Sequence, residues 1–295
     1  MEDIQFRKIF VSSRDRASGS NSSWMTQLPQ TVHMPKNTIC YITDFATAHS
    51  WYTIDSTNDR LFFVERYTGA GDAVFTHLTV VTIPSQNYDA TEFAAALQVA
   101  LNAATQIPGG SYSVTYNPAT NTITITLTGG NLASWRAIPD RVLQNAAYRT
   151  AVSGSWGDNP ESANELIGHV SDSVTDPATY LAEWSSGGTM LTAWTSGFCD
   201  MRHIHSLYLH STVLGSYKTI GPLGSNTAVR RIPVTDSVFG TIVTSDASHH
   251  LDFLDCAASL STIDFQLRDG KGHLVQLHGA AGVSFSLLFA ERPIG

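Results

Sequence analysis

The stretch that most constrains this chain is residues 259–289. Ile263, Phe265 and Leu267 alternate there with Asp264, Gln266 and Arg268. Successive side chains of a strand point to opposite sides, so an extended segment with this order has one apolar and one polar face. Arg268-Asp269-Gly270-Lys271-Gly272 follows, with two glycines able to adopt positive φ inside a polar run. That predicts a hairpin of strand, turn and strand. Beyond Gly279 and Gly282, residues Val283, Phe285, Leu287 and Phe289 share one side, with Ser284, Ser286 and Leu288 opposite. Burial contributes about 1.5–3 kcal/mol for each such Phe or Leu, so the odd-numbered face is predicted to be core. Nothing in this stretch has the pattern of an active site.

At 295 residues the chain is long enough for one large β-sandwich or two smaller units. Charged residues make up only 14%, against roughly 25% in an average soluble domain. A surface that is polar but sparsely charged suits a protein packed against neighbours. The net charge of -8 argues against wrapping nucleic acid, which needs a basic stripe to displace counterions. Cys40, Cys199 and Cys256 are scattered with no C-x-x-C pair, which argues against a disulfide framework or zinc knuckle and for a reducing compartment. The opening MEDIQFRKIF lacks an apolar signal region, and no apolar run reaches the ~20 residues of a membrane-spanning helix. Synthesis and assembly inside a cell are expected.

Along the chain, residues 4–11, 38–48, 51–55 and 61–67 read as strands, separated by turn formers. In the polar stretch after the first strand, Arg14 and Arg16 are spaced to project the same way from extended backbone. They form either a clamp for a partner carboxylate or phosphate, or a solvated basic edge. A different texture begins near Gly69. A β-branched run at 78–83 leads to Asp89, with Glu92 three residues later, a capping-box pattern. Phe93, Ala96, Leu97, Ala100 and Leu101 then recur at helical spacing. Tyr112, Val114 and Tyr116, a turn at 117–121, and Ile123, Ile125 and Leu127 make a hairpin, so a βαββ unit is predicted. From Gly129 to about Asp200 the pattern weakens, with short helices expected at 143–148 and 162–167. Trp135, Trp156, Trp184 and Trp194 stand in loop-like sequence there, either as pegs pinning loops to the core or as interface hot spots. Strand texture returns at 203–211, 228–234 and 240–244. An insertion within a β-sandwich and two consecutive β domains both give this order.

Tests for chemistry find no catalytic constellation. His203-x-His205 puts two imidazoles on one side of a strand, but no carboxylate or third His completes a metal site, and surface histidines are the simpler reading. His249-His250, His278 and the pair Asp252 and Asp255 have no context that assigns them a role. Dinucleotide, Walker and G-x-S-x-G motifs are absent from the sequence.

Several phrases are similar to those of a known family. Arg7-Lys8-Ile9 with Ser13-Arg14-Asp15-Arg16, and His49-Ser50-Trp51-Tyr52-Thr53-Ile54 with Asn58-Asp59-Arg60-Leu61, resemble the opening of the minor capsid (penton) proteins of polinton-like viruses, virophages and related double-stranded DNA viruses. Arg230-Arg231-Ile232-Pro233-Val234, and the ending from Leu267-Arg268-Asp269-Gly270 to Phe289, resemble their close. The resemblance implies a virion structural protein that closes five-fold vertices, a jelly roll assembling as a homopentamer against a major capsid protein. It brings no catalytic residue, cofactor or metal. The fold class expected is mainly β: a jelly-roll β-sandwich from residues 1–68 and 200–295, with an inserted α+β (βαββ) domain and long loops at 69–199. The candidate interface residues are Arg14, Arg16, Trp156, Trp184 and Trp194. The alternative function is a receptor- or glycan-binding spike head acting through Trp156, Trp184 or Trp194.

One substitution tests the face assignment. Phe285→Asp forces an unpaired carboxylate into an apolar layer and is expected to abolish soluble expression. A wild-type yield would mean that the opposite face is the buried one.

Overall fold

In the structure, a computed structural model, residues 7–33, 38–130, 133–144, 162–169, 192–214, 220–235, 240–245, 254–255, 259–279 and 281–291 are described. Numbered along the chain, the first strands are β1 (Arg7–Ser12), β2 (Ser18–Gly19), β3 (Ser23–His33), β4 (Thr38–Ala48), β5 (Arg60–Thr68) and β6 (Val74–Thr82). Helix α1 (Ala90–Ala104), strands β7 (Ser111–Asn117), β8 (Thr122–Thr128) and β9 (Ser134–Ala137), helix α2 (Asp140–Leu143) and strand β10 (Ala193–Thr195) follow. The last strands are β11 (Ser206–His210), β12 (Ala228–Pro233), β13 (Thr241–Ser245), β14 (Leu254–Asp255), β15 (Ser259–Arg268) and β16 (Val283–Glu291). The chain forms two compact units, Met1–Trp51 with Ile204–Gly295, and Tyr52–His203.

The first unit is built from nested antiparallel pairs. β1 pairs with β16, β3 with β15, β4 with β13 and β11 with β12. Successive pairs fall in alternate sheets, ordered β1-β16-β4-β13 and β12-β11-β15-β3, with β2 on the edge of β3 and β14 beside β4. Eight strands wound this way form the jelly-roll sandwich. The alternation at 263–267 and 283–289 delivers the core: Ile263, Phe265, Leu267, Val283, Phe285, Leu287 and Phe289 are all buried in it. Phe285 faces Phe265 edge-on at 4.9 Å and stacks on Phe45 at 6.4 Å, while Trp24 lies 5.4 Å from Phe265. These rings join the two sheets, which gives them offset and edge-on contacts worth more than their area alone.

The predicted C-terminal hairpin takes a different form. Asp269 Oδ1 accepts from the Lys271 and His273 amides at 2.8 Å each, and the Arg268 guanidinium donates to Gln266 Oε1 and the Gly272 carbonyl. Gly272 has φ +87°, a conformation favouring glycine, whereas Gly270 does not use positive φ. After this locked turn only Leu274 bridges back to Arg268, and Val275 N donates to Leu267 O. The chain then crosses to the other sheet, so β15 and β16 are not partners. A second tie between the sheets is Arg230 of β12, almost fully buried, which donates to the Ile42 carbonyl of β4 and to Thr244 Oγ1 of β13.

In the second unit β5 lies between β6 and β9, and β8 lies between β7 and β10. The helix starts as the sequence predicts: Asp89 Oδ1 accepts from Thr91 N and Glu92 N, and Glu92 returns a bond to Asp89 N. Phe93, Leu97 and Leu101 are buried in a core shared with Phe63, Tyr112, Ile123, Ile125 and Trp135. Three expectations change. β5, read as part of the sandwich, pairs with β6 and β9, so the unit boundary falls after Trp51 rather than at 68. β6 belongs to that sheet and not to the β7–β8 hairpin, so the predicted βαββ order is spread over two sheets. Residues 51–55 are not a strand. Side chains replace the ladder there: Asn87 Oδ1 accepts from Thr53 N, Asn58 Oδ1 from Asp55 N, and Asp55 Oδ1 from Thr57 N. Of the expected short helices, the first, at 143–148, falls almost wholly outside the described residues, α2 ending at Leu143 where it was to begin, and the second is a single 3₁₀ turn at Ala163–Glu165.

The second unit is centred on one buried carboxylate. Glu65 of β5 has no exposed surface and accepts from Thr79 Oγ1 of β6 (2.8 Å), Thr105 Oγ1 (2.5 Å), Gln106 N (2.9 Å) and Tyr112 OH of β7 (2.9 Å). A charge this deep is tolerated because every oxygen is bonded. Burial, and then the Glu65 charge, push the Tyr112 phenol far above the usual tyrosine range. Glu65→Ala orphans donors from three elements at about 1–3 kcal/mol each and is expected to abolish the cooperative melting of this unit in calorimetry. Tyr112→Phe removes one donor of the four and is expected to lower stability by about 1–2 kcal/mol in denaturant titration. Equal effects of the two variants would show that Glu65 is not the hub.

Candidate functional site

The N-terminal arm places Arg14 and Arg16 differently from the extended reading. Ser13–Asp15 is a 3₁₀ turn capped by Ser12, whose side chain accepts from Arg14 N. Ser13 is buried, and its Oγ accepts from Val283 N at 2.9 Å, which docks the turn against β16. Arg14 runs along Gly282, where an added Cβ would lie 3.1 Å from its Cγ. Arg16 donates Nε to Gly19 O at 3.0 Å, and Nη1 to Ser13 O at 2.8 Å and Asn21 Oδ1 at 2.9 Å. Its guanidinium therefore closes its own loop, and the two arginines do not form a matched clamp.

The outward face of sheet β1-β16-β4-β13 carries a groove of about 410 Å³, lined among others by Phe10, Ser12, Asp15, Asp44, Ala46 and Val243. Its shape follows from strand register. Phe10 is level with Ser286 and Asp44, and Ser12 with Ser284, Ala46 and Val243. Small side chains thus occupy the middle of the sheet, between Phe10 (76% exposed) on one side and Val243 (65% exposed) on the other. Ser286 Oγ donates to Asp44 Oδ2 at 2.9 Å, and Lys8 Nζ lies 3.8 Å from the same oxygen and 5.0 Å from the centre of the Phe10 ring. Phe10 is not among the candidate interface residues that the sequence suggests. Its signal was an aromatic out of phase with Ile9 and Val11 at the start of a strand.

The tryptophans divide. Trp135 is fully buried and belongs to the core of the second unit. Trp194 is half-buried in β10, edge-on to Trp135 at 6.2 Å and to His169 at 4.9 Å. Trp135 is a peg in the core, and Trp194 packs against that core from the edge strand. Trp156 and Trp184 lie outside the described residues.

Among the histidines, His203 and His205 precede β11 rather than lining it, and Ile204 between them is buried in the sandwich core. His210 is buried, with Nδ1 at 2.9 Å from Thr227 Oγ1, and burial followed by the nearby Arg268 charge lowers its pKa. His249, His250 and Asp252 lie outside the described residues, as does Cys256, while Cys40 and Cys199 are buried. Among the described residues no group of three or more His, Cys, Asp or Glu is arranged to hold a metal ion, and no helix is long and apolar enough to cross a membrane.

Trp194→Ala should therefore behave as a core truncation. A loss of about 2 kcal/mol in chemical denaturation is expected, below the roughly 3–5 kcal/mol of a fully buried tryptophan. An unchanged midpoint would show that the indole does not hold β10.

No protein-family model matches the sequence, and no curated protein matches it. Among solved structures, the chain is similar to the mavirus penton protein, with 13% identity, a TM-score of 0.49, and coverage of 98% of this chain and 100% of that one.

Proposed function

We propose that this chain is a virion structural protein, a penton-type minor capsid protein that self-associates at icosahedral vertices. The observation that carries the reading is the nested pairing of both chain ends into one jelly-roll sandwich, with a second compact unit inserted in the single connection between β4 and β11. Jelly rolls serve both capsids and lectins, so the architecture alone does not select between them. The resemblance of the two chain ends to minor capsid proteins favours the capsid. Two of those phrases coincide with structural devices: Arg230 ties the two sheets, and Arg268-Asp269 locks the turn after β15.

In this reading the work of the protein is geometric. Cyclic association needs broad side surfaces with few repelling charges, and the sparsely charged sequence, together with the exposed Phe10 and Val243 on one outer sheet face, is consistent with that need. The partners are further copies of the chain, as a homopentamer, and a major capsid protein; the location is the virion, assembled in the host cell. For the glycan-binding alternative, Trp194 is half-buried against Trp135, which leaves only part of its ring to a ligand.

Sedimentation and light scattering across a concentration series test the proposal. A closed oligomer of about five copies that enters particles at low copy number is expected from the ring symmetry. A strictly monomeric protein that is excluded from particles would overturn it, and a selective hit on a glycan array would favour the spike-head reading.

A further inference from the structure

The strand edges of the two units are guarded unequally. A sheet edge presents unpaired backbone N–H and C=O groups, and folded chains blunt such edges with charge, proline, short length or a covering element. β1 carries Arg7 and Lys8, and β12 carries Arg230, Arg231 and Pro233. β2, β9, β10, β13 and β14 are five residues or shorter. β7 is covered by α1: Asn102 accepts from Tyr112 N at 2.7 Å and donates to Tyr112 O at 2.9 Å, and Gln98 Oε1 accepts from Val114 N at 2.9 Å. β6 has none of these devices. It is 9 residues long, pairs with β5 in unbroken register, and contains no Lys, Arg, Asp, Glu or Pro.

Register shows which backbone groups of β6 face outward. Ile83 N donates to Asp59 O, and Gly69 N to Ala73 O. Both pairs continue the β5–β6 ladder, in which antiparallel residues alternate between exchanging bonds with the partner strand and pointing away from it. Odd-numbered residues of β6 therefore bond to β5. The N–H and C=O groups of Val74, Thr76, Leu78, Val80 and Thr82 point away, and none of them bonds to another strand among the described residues. Val74 and Phe75, at the start of the strand, are 53% and 42% exposed.

We propose that β6 is a two-fold contact at which two copies of this chain pair antiparallel, edge to edge. A two-fold axis at Leu78 sets Val74 opposite Thr82 of the second copy, Thr76 opposite Val80, and Leu78 opposite its own equivalent. Every outward-facing residue then exchanges backbone bonds with another outward-facing one, and any sliding of the register loses at least one such pair. The same axis sets Phe75 opposite Val81 and His77 opposite Thr79. No pair brings two formal charges together, and Phe75 meets a β-branched side chain. β6 is thus a complement to itself over its whole length, so the strand that this edge needs is present in the chain's own sequence.

The contact is isologous and closes at two copies, whereas a ring contact is heterologous, so this pairing doubles whatever species the ring contact makes. It does not rest on the capsid reading, and its failure would leave the ring number untouched. A single strand pair is a small interface, so the doubling is expected as a reversible, concentration-dependent step in sedimentation equilibrium of the whole protein. Thr76→Pro removes an outward N–H and no bond to β5, and is expected to abolish the doubling with the fold retained. Cross-linking with a short thiol-reactive linker, read by peptide mass spectrometry, tests the register. The Leu78→Cys protein should be joined between chains through the introduced thiol. The Val74→Cys protein should not, because its two thiols would lie about eight residues, or roughly 27 Å, apart along the strand pair. No doubling in the wild type, undiminished doubling in Thr76→Pro, or equal cross-linking of the two cysteine variants overturns the proposal. If Thr76→Pro fails to fold, the two cysteine variants decide alone.

Discussion

Everything in the first unit depends on β1 and β16 pairing along Arg7–Ser12. These strands are separated by almost the whole chain, so closing them costs loop entropy before any contact returns it. The cost is met by the layer they complete: Val11 from β1 and the odd-numbered residues of β16 enter the same core as Trp24 and Phe265 from the opposite sheet. With the outermost pair in place, β3 with β15 and β4 with β13 nest inside it, and each turn of the chain falls to the alternate sheet. The buried Ser13 hydroxyl, which accepts from Val283 N, fixes where the first strand ends and the arm begins.

The second unit solves a different problem. Its two sheets have three strands each among the described residues, the smallest number that is stable when one face is covered. They share one core with α1, and Glu65 supplies a polar bond set that ties β5 to β6, to β7 and to the residues that follow α1. A buried network of this kind is useful because it is unforgiving: fully bonded it selects one arrangement, and partly bonded it costs more than an apolar core would. The loop at Thr53–Asp59 applies the same device near the start of the unit, with Asn58 and Asp55 in place of a strand ladder.

Much of the fold was legible because period-two alternation survives wherever a strand is regular. β7, β8 and β15 fall where the alternation predicts them, β4 and β12 where strand composition does, and the capping box locates α1. β3 was passed over for a physical reason. Its buried residues are Trp24, Leu28 and Val32, and its pairing with β15 slips between Val32 and Gln27 around Pro29, which cannot donate to a ladder. Residues 51–55 have strand composition, but apart from the bridge of Ile54 to Gln86 the backbone bonds at Thr53 and Asp55 go to side chains. The candidate site was less legible. Arg14 and Arg16 matched a clamp only while the arm was taken as extended, and nothing in local sequence announces that Ser13 will be captured by a strand 270 residues away.

The central claim is that the two ends of the chain are neighbouring strands of one sheet. Ser12 and Ser284 are level with each other on its outward face, so replacing both with cysteine leaves the core untouched. Mild oxidation of the Ser12→Cys/Ser284→Cys protein, followed by mass spectrometry of its peptides, should find the two new thiols joined within one chain, with Cys40 and Cys199 still reduced. Two new thiols that stay free under those conditions, or that join only between chains, would contradict the fold and the functional reading built on it.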